Sequence, residues 1–242
     1  MLFTISLCNT NLNFFCLSFL FYIQLNVPAD FISIEEALRH AKRSNGTINT
    51  IHIQDGNHEV LQNILKIDIP IRIVGESETG TVVQGGVQIQ SNDIGCTVAL
   101  QNLSIIGSSV SGVWNQGQGR LVMVSCTVKD CNGHGIEVWR RAKGILTNVI
   151  VRGCKGSGIV AKSGATIEIS GDRSRSVIGN CTKNRCDDFG LNVKGSASKI
   201  FVVGSLLTKE KIAEENGGGG NFGGSGKIAS ISVSRCGSTD GK

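Results

Sequence analysis

A histidine between two glycines and a pair of adjacent aspartates are the residues whose types could support hydrolysis of a polysaccharide. His134 lies between Gly133 and Gly135, and Asp187 is followed by Asp188. Glycoside hydrolysis uses two carboxylates, one as a general acid and one that activates water or attacks the sugar. Glycine and aspartate are also common in turns. We expect these residues to lie in turns, so the sequence assigns no catalytic residue.

The spacing of cysteines, histidines and carboxylates indicates no metal site. Cys131 and His134 form one pair with ligand spacing, but no second pair completes a tetrahedral set. A calcium site needs roughly six to eight oxygen ligands, and the aspartates are scattered apart from Asp187 and Asp188. We predict no metal and no cofactor.

A repeat of 23 residues positions these side chains. A glycine followed by an aliphatic residue recurs with intervals of 23, 23 and 32 residues, at Gly112, Gly135, Gly158 and Gly190. Four positions before each glycine stands a small residue, namely Ser108, Cys131, Cys154 and Cys186. The 32-residue interval is one repeat with a nine-residue insertion, for which the polar run 171–176 is the simplest location. A further, incomplete repeat is legible in 228–236.

The repeats contain short runs in which apolar residues alternate with polar ones, the pattern of strands. Three short strands in about 23 residues make one coil of a parallel β-helix, whose coils stack at about 4.8 Å. The residues that follow the repeat glycines then form one interior column: Val113, Ile136, Ile159 and Leu191. The sequence therefore predicts an all-β solenoid.

The same alternation predicts which side chains face outward. Counting from the glycine, positions one and three point inward and positions two and four point outward. Trp114 and Trp139, the two tryptophans, fall on one outward face in neighbouring coils, with Glu137 and Lys162 beside them. Flat aromatic rings flanked by polar groups suit stacking on sugars. These four residues form the predicted binding site, and chance placement of the tryptophans on the surface is the alternative.

The N-terminal part predicts a leader followed by a capping helix. Ser33 and Glu36 have capping-box spacing, and apolar residues follow at helical intervals, which predicts a helix over 33–43 that closes one end of the solenoid. Residues 1–26 form an apolar leader before a β-helix domain of residues 27–242. The run 14–25 has the length of a signal-peptide core, but no basic residue precedes it. Export and an intracellular location both remain open.

The composition limits the classes of partner. The chain has 242 residues, a formal charge of +5 and 18% charged residues. This charge is mild and dispersed along the sequence, so we predict no nucleic-acid partner. The 12-residue apolar run is too short for a transmembrane helix, which needs about 20 residues. Short basic clusters, such as the one at 140–143, are expected to be solvated surface.

The nine cysteines are predicted to be interior fillers. Cys131, Cys154, Cys186 and Cys236 share one column of the repeat. Stacked residues have parallel Cα–Cβ vectors, which hold their sulfur atoms slightly too far apart for a disulfide. We therefore expect the cysteines to pack as small apolar side chains in the interior rather than to form disulfides.

Several segments resemble the right-handed parallel β-helix, pectin-lyase-like superfamily, and within it a group of uncharacterised microalgal β-helix repeat proteins. The resemblance runs from about residue 27 to 231 and rests on the segments 27–31, 35–37, 164–168, 207–210 and 216–224. It implies the fold and its right-handedness and brings no established activity. The Gly133-His134-Gly135 triplet matches a short motif of polygalacturonases, but the Asn-Thr-Asp and Arg-Ile-Lys motifs of that family are missing. We expect a non-catalytic binding module for carbohydrate or protein, with a polysaccharide lyase or hydrolase as the alternative.

Overall fold

The computed structural model describes residues 23–171, 176–178, 189–204 and 220–231. In these ranges the chain forms one α-helix and eighteen β-strands. Every strand pairing is parallel. Each strand pairs with the equivalent strand of the next coil, which makes a β-solenoid. The predicted all-β fold is therefore confirmed.

The strands stack into three faces. The first face contains β1 (Ile23–Val27), β2 (Ile48–Ile53), β4 (Ile71–Gly75), the first halves of β6 (Thr97–Ile106) and β8 (Arg120–Lys129), β10 (Lys143–Thr147), β13 (Thr166–Ser170), β16 (Lys199–Val203) and β18 (Lys227–Ile231). The second face contains the first halves of β3 (Gly56–Ile67) and β5 (Thr81–Ile89), the second halves of β6 and β8, β11 (Ile150–Arg152) and β14 (Ser176–Ile178). The third face contains the second halves of β3 and β5, β7 (Val113–Asn115), β9 (Ile136–Val138), β12 (Ile159–Lys162), β15 (Phe189–Lys194) and β17 (Gly220–Gly224).

The predicted capping helix is present as α1 (Ile34–Arg43). Ser33 is its N-cap, and the Ser33 hydroxyl accepts a hydrogen bond from the Glu36 amide at 3.2 Å. Its apolar side packs into the same core as the first coils through Ile34, Ala37, Leu38 and Ala41. The first strand begins at Ile23, four residues before the predicted domain boundary. Within the described ranges, no helix has the length and apolar character that spanning a membrane requires.

The predicted interior column is confirmed. Val113 pairs with Ile136, Ile136 with Ile159, and Ile159 with Leu191. All four side chains are buried and belong to one continuous apolar core. A coil cannot bury its own apolar face, so each coil is stabilised by contacts with its neighbours.

The corners between the faces use a left-handed backbone that repeats with the coils. Between the first and second faces, Asn102, Ser125, Asn148 and Gly171 stand 23 residues apart and have φ of 50°, 51°, 53° and 92°. Positive φ is unfavourable for residues with a Cβ, and asparagine and glycine adopt it most readily. A single left-handed residue turns the chain sharply, so each face continues into the next within a short corner.

The insertion in the fourth repeat is divided between two corners. The spacing between paired residues is 23 for Thr147 and Ser170, 26 for Ile150 and Ser176, and 32 for Ile159 and Leu191. Three extra residues thus precede β14 and six follow it, where the sequence pattern indicated one insertion around 171–176. Across these extra residues, β13 still pairs with β16 and β12 with β15.

Candidate functional site

The third face positions the four residues of the predicted binding site. Trp114 pairs with Glu137, and Glu137 pairs with Val160 in the next coil, so these residues form one column. None of them belongs to the apolar core that contains Val113 and Ile136. Trp139 follows β9 directly, and Lys162 is the last residue of β12. The predicted outward direction of the column agrees with this arrangement.

The expectation of two exposed tryptophan rings is wrong for Trp114. Its side chain is only 6% exposed. A Cβ atom added to Gly86 would lie 2.9 Å from the Trp114 ring, so the indole lies against the backbone of the preceding coil. The absence of a side chain at Gly86 makes room for it. Trp114 therefore supports the site from within and offers no open ring face.

Lys162 links the other two members of the site. Its ammonium lies 2.9 Å from the Glu137 carboxylate and 3.4 Å from the centroid of the Trp139 ring. The Ser111 hydroxyl donates to the second oxygen of Glu137 at 3.3 Å. A lysine over a tryptophan ring contributes roughly 0.5 to 2 kcal/mol, depending on its desolvation. We call Glu137, Trp139 and Lys162 the lysine–tryptophan cluster.

One donor in this cluster has no partner among the residues that the structure describes. Within the described residues, the Trp139 indole N–H is buried and makes no hydrogen bond. Buried donors are nearly always paired in folded proteins, because leaving one unpaired costs about 1 to 3 kcal/mol. The indole N–H is therefore a polar group that an oxygen atom of a ligand could satisfy after a local side-chain movement.

His134 has a structural contact in the corner where the sequence analysis expected it. Its Nδ1 accepts a hydrogen bond from the Ser157 amide of the next coil at 2.8 Å. This bond assigns the proton of the neutral ring to Nε2. Asp187 and Asp188, the aspartates that would complete a hydrolase site, lie outside the described residues. Across the described ranges, no group of three or more histidine, cysteine or acidic residues is arranged to hold a metal ion.

The four cysteines within the described ranges are buried, as predicted for interior fillers; they are Cys96, Cys126, Cys131 and Cys154. Burial raises the pKa of the Cys126 thiol to about 12. The hydrogen bond between the Cys131 and Cys154 thiols raises the pKa of Cys154 and lowers that of Cys131. The other predicted members of this column, Cys186 and Cys236, lie outside the described residues.

The structure also aligns cations that are scattered in the sequence. Arg120 pairs with Lys143, Lys143 with Thr166, Thr166 with Lys199, and Lys199 with Lys227. All four cations are exposed, and each lies where the third face turns into the first. We call Arg120, Lys143, Lys199 and Lys227 the basic ladder. The expectation of dispersed charge is therefore wrong for this corner. Arg120 and Lys143 are separated by the repeat length of 23 residues, which the sequence pattern could have revealed. The next two intervals, 56 and 28 residues, differ from a multiple of 23 and hide Lys199 and Lys227.

Comparison with known families identifies the fold. The family model of the right-handed β-helix region matches residues 33–173 and 85–231. The chain belongs to this right-handed β-helix family. A search of curated proteins and a search of solved structures found no match. Membership in the β-helix family settles the architecture and its handedness and assigns no activity.

Proposed function

We propose that this β-helix protein is a non-catalytic module that binds a carbohydrate chain at the lysine–tryptophan cluster. The observation that carries the proposal is the position of Lys162, between the Glu137 carboxylate and the Trp139 ring. An aromatic face, a carboxylate and an ammonium are the groups that stack on sugar rings and bind their hydroxyls.

The cluster is held in place before any ligand binds. Glu137 is 5% exposed and has bonds to both Lys162 and Ser111. Trp114, its paired residue in the neighbouring coil, is buried as well. Side chains that are already ordered lose little conformational entropy on binding, which favours affinity. The Lys162 side chain is 27% exposed and covers the Trp139 ring, so a sugar that stacks on this ring must displace it.

The alternative is a pectin-lyase-like enzyme that cleaves a polysaccharide. It would require catalytic carboxylates, and the candidates are Asp187 and Asp188, both outside the described residues. His134, the remaining candidate, already uses Nδ1 in a structural bond to the Ser157 amide. Release of unsaturated or reducing sugar ends from polygalacturonate by the full chain would favour this alternative over the binding module.

A protein partner is the second alternative. A contact with an acidic protein would use the exposed charges of the basic corner, and its affinity would fall as salt screens them. Binding of a glycan at the lysine–tryptophan cluster should depend on the Trp139 ring, so Trp139→Ala separates the two.

A glycan array probed with the full chain tests the proposal. We expect binding to at least one glycan and a loss of about tenfold or more in affinity for Trp139→Ala and for Lys162→Ala. Lys155→Ala is the matched control, because Lys155 is an exposed lysine away from the cluster. Thermal unfolding of each variant establishes that it folds. Binding that is unchanged in both cluster variants, or no binding to any glycan, would refute the proposal.

A further inference from the structure

The basic ladder is a line of like charges that the rest of the described protein does not neutralise. Arg120, Lys143, Lys199 and Lys227 have no ion pair within the described residues. Thr166, the remaining rung, contributes a hydroxyl group. Four coil intervals of about 4.8 Å separate the ends of the ladder, a length of about 19 Å along the solenoid axis.

Further cations flank this line. Arg140 and Arg141 lie in the corner that leads from Trp139 to Lys143, and both are exposed. Lys194 is exposed and pairs with Lys162 in the neighbouring coil. The one carboxylate of the lysine–tryptophan cluster, Glu137, is already paired with Lys162. The corner as a whole therefore presents a surplus of positive charge.

Stacked like charges destabilise the protein that carries them. Cations on directly paired residues of adjacent strands repel each other, as Arg120 and Lys143 do, and as Lys199 and Lys227 do. A bound polyanion reduces this repulsion and should bind the aligned charges of the folded state more tightly than the unfolded chain, so it should stabilise the fold. The regular spacing also favours a linear ligand over a small anion, because a small anion contacts one or two rungs.

We infer that the basic ladder binds a linear polyanionic glycan, laid along the solenoid axis. This inference rests on the proposed function and adds the chemical class of the glycan. Three of the four cations are lysines, which act as point charges without the planar fork of arginine. Sulfate and carboxylate groups share the required chemistry, and the experiment below distinguishes them.

The described surface favours a glycan over a single-stranded nucleic acid. Proteins that bind single strands combine cations with exposed aromatic rings on which the bases stack. Among the described residues, the exposed large apolar side chains are all aliphatic: Ile32, Leu61, Ile94, Val110 and Ile231. Anionic sugar chains carry no bases, and the ladder can bind their charged groups without a series of exposed rings.

The test measures binding of the full chain to dextran sulfate, polygalacturonate, neutral dextran and a single-stranded oligonucleotide. The variant Lys143→Glu/Lys199→Glu reverses two rungs. The matched control, Lys66→Glu/Lys155→Glu, changes net charge equally at exposed lysines outside the ladder. We expect the ladder variant to weaken polyanion binding about tenfold or more and the control to weaken it less than about threefold. The preferred polyanion identifies sulfate or carboxylate.

Each other outcome counts against the inference. Equal weakening by the ladder variant and the control would mean that net charge alone attracts the polyanion. Tighter binding of the oligonucleotide than of either charged glycan would assign the ladder to nucleic acid. Binding of neutral glycans that depends on Trp139 but not on the ladder would overturn this inference and leave the proposed function intact. A lack of binding to any glycan would overturn both.

Discussion

The two ends of the described solenoid differ in charge. Residues 23–100 contain five basic and nine acidic residues, whereas the described residues after 100 contain eleven basic and three acidic ones. Both parts have the same parallel architecture and a common core. Because the fold needs only the interior side chains, the outward positions of the two parts are free to differ. The comparison therefore separates residues that build the coil from residues that present a surface.

The first coils and the middle coils also differ in regularity. On the first face, the interior residues Ile51 and Ile73 are 22 positions apart, and Ile73 and Leu100 are 27 apart. From Leu100 to Ile169 the interval is 23 in each coil. The capping helix lies at the irregular end, and the basic ladder begins in the regular coils. Parallel pairing keeps equivalent outward positions in line even where the interval changes, as at Lys199 and Lys227, which is how a row of charges arises.

The largest expected effect concerns the repeat glycine of the regular coils. A Cβ atom at Gly135 would lie 2.2 Å from Val151 Cγ1 and 2.6 Å from the Gly158 carbonyl oxygen. We expect Gly135→Ala to lower the free energy of unfolding by about 3 kcal/mol, because the next coil must shift. Urea denaturation measures this. Gly95→Ala is the control in the other part, where a Cβ would meet only the Asp93 carboxylate, at 3.3 Å or more. A similar loss in both variants would contradict the account.

The next effect concerns the acidic member of the lysine–tryptophan cluster. Glu137→Gln keeps the shape of the side chain but removes the charge that Lys162 contacts. We expect a loss of about 2 kcal/mol in the free energy of unfolding, typical of a hydrogen bond to a charged group. Glu168→Gln, at an exposed position of the first face, should change stability by less than about 0.5 kcal/mol. Equal stability of both variants would show that the cluster is not held by this ion pair.

A smaller effect is expected at the irregular end. Ser33→Ala removes the hydroxyl that caps α1 through the Glu36 amide. Loss of such a cap costs about 1 kcal/mol. Thermal unfolding measures the change, with Ser196→Ala in an exposed turn as the control. If Ser33→Ala unfolds at the temperature of the control, the hydrogen bond at the cap contributes nothing to the N-terminal end.

The smallest effect concerns the buried Cys126 thiol of the regular coils, which we expect not to react with an alkylating reagent in the native protein. The pKa of Cys126 is raised to about 12 from its ordinary value of 9.0, because burial disfavours the thiolate. The protonated thiol therefore stabilises the fold below pH 9, and this contribution is lost as the pH rises from 9 toward 12. A thiol-alkylating reagent at pH 8 should label Cys126 only after unfolding, as mass spectrometry of the peptides would show. Labelling of the native protein would contradict the burial of this column.

Much of the fold could be predicted from the sequence, because interior positions follow strict rules. The helix was predicted to within one residue, and the column from Val113 to Leu191 is as expected. The left-handed corners at Asn102, Ser125, Asn148 and Gly171 were missed, although they recur every 23 residues, because the residue type differs from coil to coil. The burial of Trp114 was missed too, because alternation gives the direction of a side chain and says nothing about the space at Gly86.

The candidate site was only partly predictable for a similar reason. Glu137, Trp139 and Lys162 were placed together by counting within coils of equal length. The basic ladder was missed because the connection between Lys143 and Lys199 includes insertions at corners. Counting residues along the sequence therefore no longer matches Lys199 with Lys143. The strand pairing on the first face does match them, through Thr166.

Lysine footprinting tests most directly the claim that the basic ladder is the binding surface. The full chain is acetylated with and without dextran sulfate, and mass spectrometry gives the rate at each lysine. The account predicts slower acetylation of Lys143, Lys199 and Lys227 in the presence of the polyanion, with unchanged rates at Lys42, Lys66 and Lys155. Protection of Lys42 and Lys66 equal to that of the ladder lysines would contradict it.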